Sequence, residues 1–174
     1  MSTFELEIWD DEAEKVTFYT VRWEDASQSE TDKFFETQNN IDANATQTLL
    51  SLILDTIGTD YGAIGDFFNR FEENVTALPP QGRVVVGELM LRYPNFPLRL
   101  YALRIKNRED LVVLFNGGRK TGGTNMESES LNMKFIEAKE FAKKIDQALQ
   151  DGSIVIDEEA RMLRSYNGSK EIML

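Results

Sequence analysis

Leu98-Arg99-Leu100-Tyr101-Ala102-Leu103-Arg104-Ile105-Lys106, a polar break over residues 107–110, Leu111-Val112-Val113-Leu114-Phe115-Asn116, and then Gly117-Gly118-Arg119-Lys120-Thr121-Gly122-Gly123-Thr124 form the stretch on which the fold turns. The first run alternates, with Leu98, Leu100, Ala102, Arg104 and Lys106 on one face of a strand and Arg99, Tyr101, Leu103 and Ile105 on the other. The second run is apolar at every position, the pattern of a strand covered on both sides. The glycines and adjacent bases predict a basic loop. A helix follows over about residues 130–150, because Leu131, Phe135, Ala138, Ala142, Ile145 and Leu149 recur at helical spacing. Gly152 is placed to close it.

Working outward, Phe4-Glu5-Leu6-Glu7-Ile8-Trp9 alternates apolar with acidic, and Val16 to Trp23 is rich in β-branched and aromatic residues. Together they predict an N-terminal hairpin over residues 1–28. Ser29, followed by Glu30 and Asp32, starts a helix over residues 30–38. A loop over residues 39–44 leads to a second helix over residues 46–57, ended by Gly58. A third helix carries Ile64, Phe67, Phe68, Phe71 and Val75 to the core, and Pro79-Pro80 stops it. Residues 83–92 read as one strand with Gly87 inside it. Residues 153–174 form a C-terminal extension with a short strand at Ile154-Val155-Ile156. The whole is predicted as a single domain over residues 1–174.

The 174 residues include no Cys and no His, which removes thiolate metal sites and the commonest general base. No apolar run approaches the roughly 18–20 residues that span a bilayer, and no signal peptide is visible at the N-terminus. These features lead to an expectation of a cytoplasmic protein without membrane, metal or cofactor. The net charge of −11 is unevenly spread: residues 1–80 carry −13, residues 81–126 carry +5, and residues 127–174 carry −3. An acidic whole repels nucleic acid at long range, but a local basic face acts within a Debye length of roughly 8–10 Å. Gly117 to Gly123 lacks the spacing of a P-loop.

Tyr101-Ala102-Leu103-Arg104-Ile105, the run from Leu111 to Thr121 with Thr124, and Ile136-Glu137-Ala138-Lys139 resemble the RelE/HigB-like toxin superfamily. The likeness covers about a quarter of the chain. It implies an α+β fold, an antiparallel β-sheet with helices packed mainly on one face, here with an added N-terminal hairpin and the C-terminal extension. It also implies a toxin-antitoxin protein that cleaves mRNA at the ribosome without metal and is held by an antitoxin, typically a helix-turn-helix protein. By the same likeness Arg104, Arg119 and Lys120 are the candidate catalytic residues. Thr121 belongs to the same loop pattern. Arg99 and Lys106 join them as candidate RNA or phosphate contacts from local charge, and Tyr166 as a C-terminal aromatic. RNA cleavage suits such a set, since the charge that develops on phosphorus needs cationic donors already in place. The alternative is a non-catalytic protein-protein interaction domain on the same fold.

Overall fold

The computed structural model describes residues 2–122 and 125–174, so Gly123 and Thr124 of the basic segment lie outside it. The protein is α+β. A seven-stranded sheet has the order β11-β1-β2-β8-β7-β4-β3, with β1 at Phe4–Asp10, β2 at Thr17–Trp23, β3 at Phe71–Glu72, β4 at Val75–Leu78, β7 at Leu98–Arg104, β8 at Leu111–Arg119 and β11 at Ile172–Met173. Two hairpins stand apart from it, β5 (Arg83–Val86) with β6 (Leu89–Arg92), and β9 (Ile154–Asp157) with β10 (Met162–Ser165).

The expectation of an antiparallel sheet with helices mainly on one face is corrected on both counts. β2 and β8 run parallel, from Thr17 opposite Leu111 to Thr20 opposite Leu114. Helices cover both faces. On one, α3 (Asn125–Gln150) packs Phe141, Ala142 and Ile145 against Tyr101, Leu103, Val113 and Phe115. On the other, α1 (Glu30–Ile41), α2 (Ala43–Ser51) and a π-helical continuation (Leu52–Tyr61) bring Phe34, Leu49, Ile53 and Ile57 against Phe18, Leu100, Val112 and Leu114. The cause is legible in β8: its two alternating sets of side chains are both apolar, so each needs a cover. The N-terminal hairpin is not an appendage either, because β2 pairs with β8 in the middle of the sheet.

Several local expectations also change. The first two helices meet with no loop between them: Asp42 ends α1, and its side chain accepts from the Ala45 N–H at 3.1 Å to start α2. The helical path runs through Gly58 and ends at Gly62, where φ is +87°. Gly58 serves packing, since a Cβ there would lie 2.9 Å from Ala13 Cβ, and its carbonyl accepts from the Lys15 N–H at 2.7 Å. The third helix is absent: Gly65–Phe67 is one 3-10 turn, and Val75 lies in β4, whose Thr76 pairs with Ala102 of β7. Phe67 and Phe68 are core residues, but Phe71 is 66% exposed. Residues 83–92 form two strands rather than one, with Gly87 in the tight turn at φ +58°. Gly117, Gly118 and Arg119 are not loop but the last residues of β8.

The parallel ladder between β2 and β8 stops after Thr20 and Leu114, and the start of α1 fills the space beyond. The buried Thr31 hydroxyl donates to the Leu114 carbonyl at 3.0 Å and the Phe115 carbonyl at 2.9 Å, and lies 2.6 Å from the Thr20 hydroxyl. Ser29 caps the helix, accepting from the Asp32 N–H at 3.1 Å. A Thr31→Val change keeps the shape and removes the hydroxyl that donates to these carbonyls. A loss of about 1–3 kcal/mol is expected, read as a lower urea midpoint with an unchanged slope.

Candidate functional site: a cationic cleft at the end of β8

Antiparallel pairing of β7 with β8 sets Leu98 opposite Arg119 and Arg99 opposite Gly118. This brings Arg99, Arg119 and Lys120 to one end of the sheet. They line a cleft of about 240 Å³ under the first half of α3, together with Arg70, Glu72, Tyr101, Glu127 and Phe135. Arg70 enters from the segment before β3 and donates through Nε to the Pro79 carbonyl at 3.2 Å. Arg99 donates through one terminal nitrogen to the carbonyls of Phe96 and Leu98, at 2.8 and 2.9 Å. Burial, reinforced by the nearby Arg70 charge, lowers the Arg99 pKa, and burial does the same for Arg70. Among the described residues no carboxylate lies within 4.0 Å of the Arg70, Arg99 or Lys120 charged groups.

Cations crowded in this way raise each other's free energy, and an anion in the cleft relieves it. The cleft wall adds an aromatic surface. Tyr101 packs on Phe135 with ring centroids 5.5 Å apart, and burial pushes its phenol pKa up, so the ring keeps its proton. Lys139 lies over the Phe135 ring at 4.4 Å. Thr121 stands at the rim, its N–H and hydroxyl both donating to Glu127, at 2.9 and 2.8 Å. Guanidinium and ammonium groups beside a proton-bearing phenol can hold a phosphate and stabilise added charge on it.

The other predicted site residues are elsewhere. Arg104 is six residues along β7 from the position opposite Arg119, a separation of about 20 Å at roughly 3.3 Å per residue. It donates to the Asn107 carbonyl at 2.9 Å and lies 5.6 Å over the Phe68 ring. Lys106 follows it, exposed, with φ at +48°. The expected union of Arg104 with Arg119 and Lys120 is therefore not formed, because pairing of the two strands sends their basic ends apart. Tyr166 is 79% exposed in the turn after β10, its N–H donating to the Ser153 carbonyl beyond the C-terminus of α3. From Phe135, the last α3 residue lining the cleft, the helix runs on to Gln150, roughly 22 Å at about 1.5 Å per residue, before that end is reached.

Sequence reasoning placed Tyr101 on the strand face of Arg99 without naming it for the site, and it missed Arg70 as their neighbour. Arg70 fell inside a stretch whose spacing of phenylalanines mimics a helix, and only non-local pairing of β4 with β7 delivers it.

A second cleft, of about 460 Å³, opens on the other side of Arg119, between α1 and α3. Arg119 and Glu127 line both clefts. In the second, Arg119 donates to the Gln38 side-chain oxygen at 3.4 Å and lies 4.0 Å from Asp42. Deeper between the helices is Glu30, 2% exposed, with Lys33 at 2.9 Å, Lys134 at 4.0 Å and the Asn116 amide donating at 3.3 Å. Glu137 of α3 carries a carboxyl close enough to Glu30 for the two to influence each other's charge. Burial and the Glu30 charge push the Glu137 carboxyl up to about 7. Glu30 moves the other way, held below the usual carboxylate range by Glu137, Lys33 and Asn116 beside it, which outweigh its burial. Of the two acids, Glu137 is thus the one that holds a proton more readily.

No helix among the described residues is long and apolar enough to cross a membrane, and no group of three or more acidic, His or Cys residues gathers there to hold a metal ion. Comparison with protein-family models, curated proteins and solved structures finds no match to this chain.

Proposed function

We propose that the protein is an RNA-directed member of the RelE/HigB-like toxins, and that the cleft of Arg70, Arg99, Arg119 and Lys120 takes the phosphate backbone of single-stranded RNA. The observation that carries this is the convergence of these four cations beside Tyr101 and Phe135 in a chain of net charge −11. An acidic surface gives no long-range pull, so binding depends on contacts made inside the cleft. A base stacks on the aromatic wall, a contact indifferent to sequence. Cleavage needs no metal: an adjacent 2′-hydroxyl, losing its proton to water, attacks phosphorus to form a 2′,3′-cyclic phosphate as the bond to the 5′-oxygen breaks and that oxygen leaves with a proton from the Lys120 ammonium, while the guanidinium groups hold the developing charge. Lys120, the exposed ammonium at the mouth, is the group placed to reach the reacting phosphate.

The test is induced expression of the wild-type chain and of Lys120→Ala in a bacterial host, with mRNA followed by primer extension. The wild type is expected to stop growth and leave cut mRNA, and Lys120→Ala to restore growth with cleavage reduced about 100-fold or more. Intact mRNA under wild-type induction removes the proposal. A second reading, a non-catalytic domain that binds a partner protein, is favoured by the placement of Arg104 outside the cleft and by the exposed α3 residues Met126 (80%) and Met133 (69%). A stable protein complex from a pull-down, with mRNA left intact, supports that one instead.

A further inference from the structure

We propose that the space between α1 and α3 is a second seat for the same RNA backbone, with Lys33 and Lys134 as its cations and the buried Glu30 carboxylate as their counter-charge. This rests on the first cleft being a phosphate site.

The two clefts are contiguous through Arg119, which lines both. The second is the larger, at about 460 Å³, and Gly117 and Gly118 are among the residues that line it. Its ammonium groups already face a carboxylate, since Lys33 and Lys134 lie 2.9 and 4.0 Å from Glu30. Lys33 is 39% exposed and Lys134 35% exposed, so both reach solvent from the cleft wall while Glu30 stays buried behind them. The groups that face the acid pair are Lys33 from α1, Lys134 from α3 and the neutral Asn116 from β8. With Glu137 protonated, these two acids and two lysines sum to +1; without that proton they sum to zero. An anion that draws the lysines outward leaves Glu30 and Glu137 less compensated, so Glu137 holds its proton more tightly. Binding therefore takes up a proton above neutral pH, and affinity falls as pH rises through about 7. The chain has no His to produce such a dependence in the same range.

The experiment measures fluorescein-labelled hexauridylate binding to the full chain by anisotropy at pH 6.0 and pH 8.5, at fixed salt, for wild type and Glu137→Gln. The wild type is expected to bind about three- to tenfold more weakly at pH 8.5, where tenfold corresponds to one pKa unit of coupling. Glu137→Gln is expected to lose that difference and to bind at both values as the wild type does at pH 6.0. A Lys134→Gln variant keeps the acid pair and provides an independent check: its affinity at pH 6.0 falls, and the slope of log K against log salt drops by about 1. An equal pH dependence in wild type and Glu137→Gln, or an unchanged salt slope in Lys134→Gln, overturns the second seat and leaves the first cleft standing. Absence of binding at either pH in the wild type removes the first cleft, and this proposal with it.

Discussion

Gly117→Ala is expected to abolish the native fold. A Cβ at this position would lie 1.8 Å from the Arg99 carbonyl oxygen, 2.8 Å from its carbonyl carbon and 2.9 Å from Leu100 Cα. All three are backbone atoms of the neighbouring strand, so no rotamer change relieves the overlap. Gly117 is opposite Leu100, next to the place where the register between β7 and β8 shifts between Leu100 and Ala102. The irregularity presses one strand onto the other, and only a residue without a side chain fits. Relief requires separating β7 from β8 in the middle of the sheet, which costs more than about 4 kcal/mol. That is a large share of the roughly 5–15 kcal/mol that holds a domain of this size together. The measurement is soluble yield and thermal unfolding by circular dichroism. Gly122→Ala serves as the comparison: a Cβ there meets nothing within 4 Å, although φ of +80° brings a modest strain. A cooperative Gly117→Ala transition within a few degrees of the wild type would mean that β7 and β8 do not approach so closely.

The second large effect is on binding. The double change Arg99→Ala with Arg119→Ala is expected to weaken hexauridylate binding at least 100-fold and to lower the salt slope by about 2, because each cation contributes counterion release and a charge-assisted bond to phosphate. Arg104→Ala with Lys106→Ala removes the same formal charge from the opposite end of β7 and is expected to change affinity less than threefold. The comparison separates local contact from net charge. Equal losses in the two double variants would mean that the chain reads only overall charge and that the cleft has no special role. The second pair also tests where the sequence pattern led: the resemblance placed Arg104 among the catalytic cations, and the strand pairing places it about 20 Å away.

Residues that act through local spacing were legible in advance. The alternation in β1, the Ser29 cap, the unbroken apolar run of β8 and the three-and-four spacing of α3 each follow from chain geometry and from which side chains avoid water. The charge concentration over residues 81–126 was equally plain, and Arg99, Arg119 and Lys120 from it do meet. The failures share one cause. The phenylalanine spacing from Phe67 to Val75 mimics a helix, yet the backbone of β4 gains more by pairing with β7 than by closing on itself. Gly117 and Gly118 carry the composition of a loop, yet they extend β8, and at Gly117 β7 passes too close for any other residue.

The sequence by itself determined the element types of the long periodic segments, the burial of β8 on two sides and the three cations of the basic segment. Only the tertiary structure decided that β2 lies parallel to β8, that helices occupy both faces, that Arg70 and Tyr101 complete the cleft, and that Arg104, Lys106 and Tyr166 stand away from it. The physical reason is range. Periodicity and capping act over a few residues and are written into the local chain. Strand register and layer order join residues up to 168 positions apart, as Glu5 with Met173, and they are fixed by which distant surfaces exclude water together.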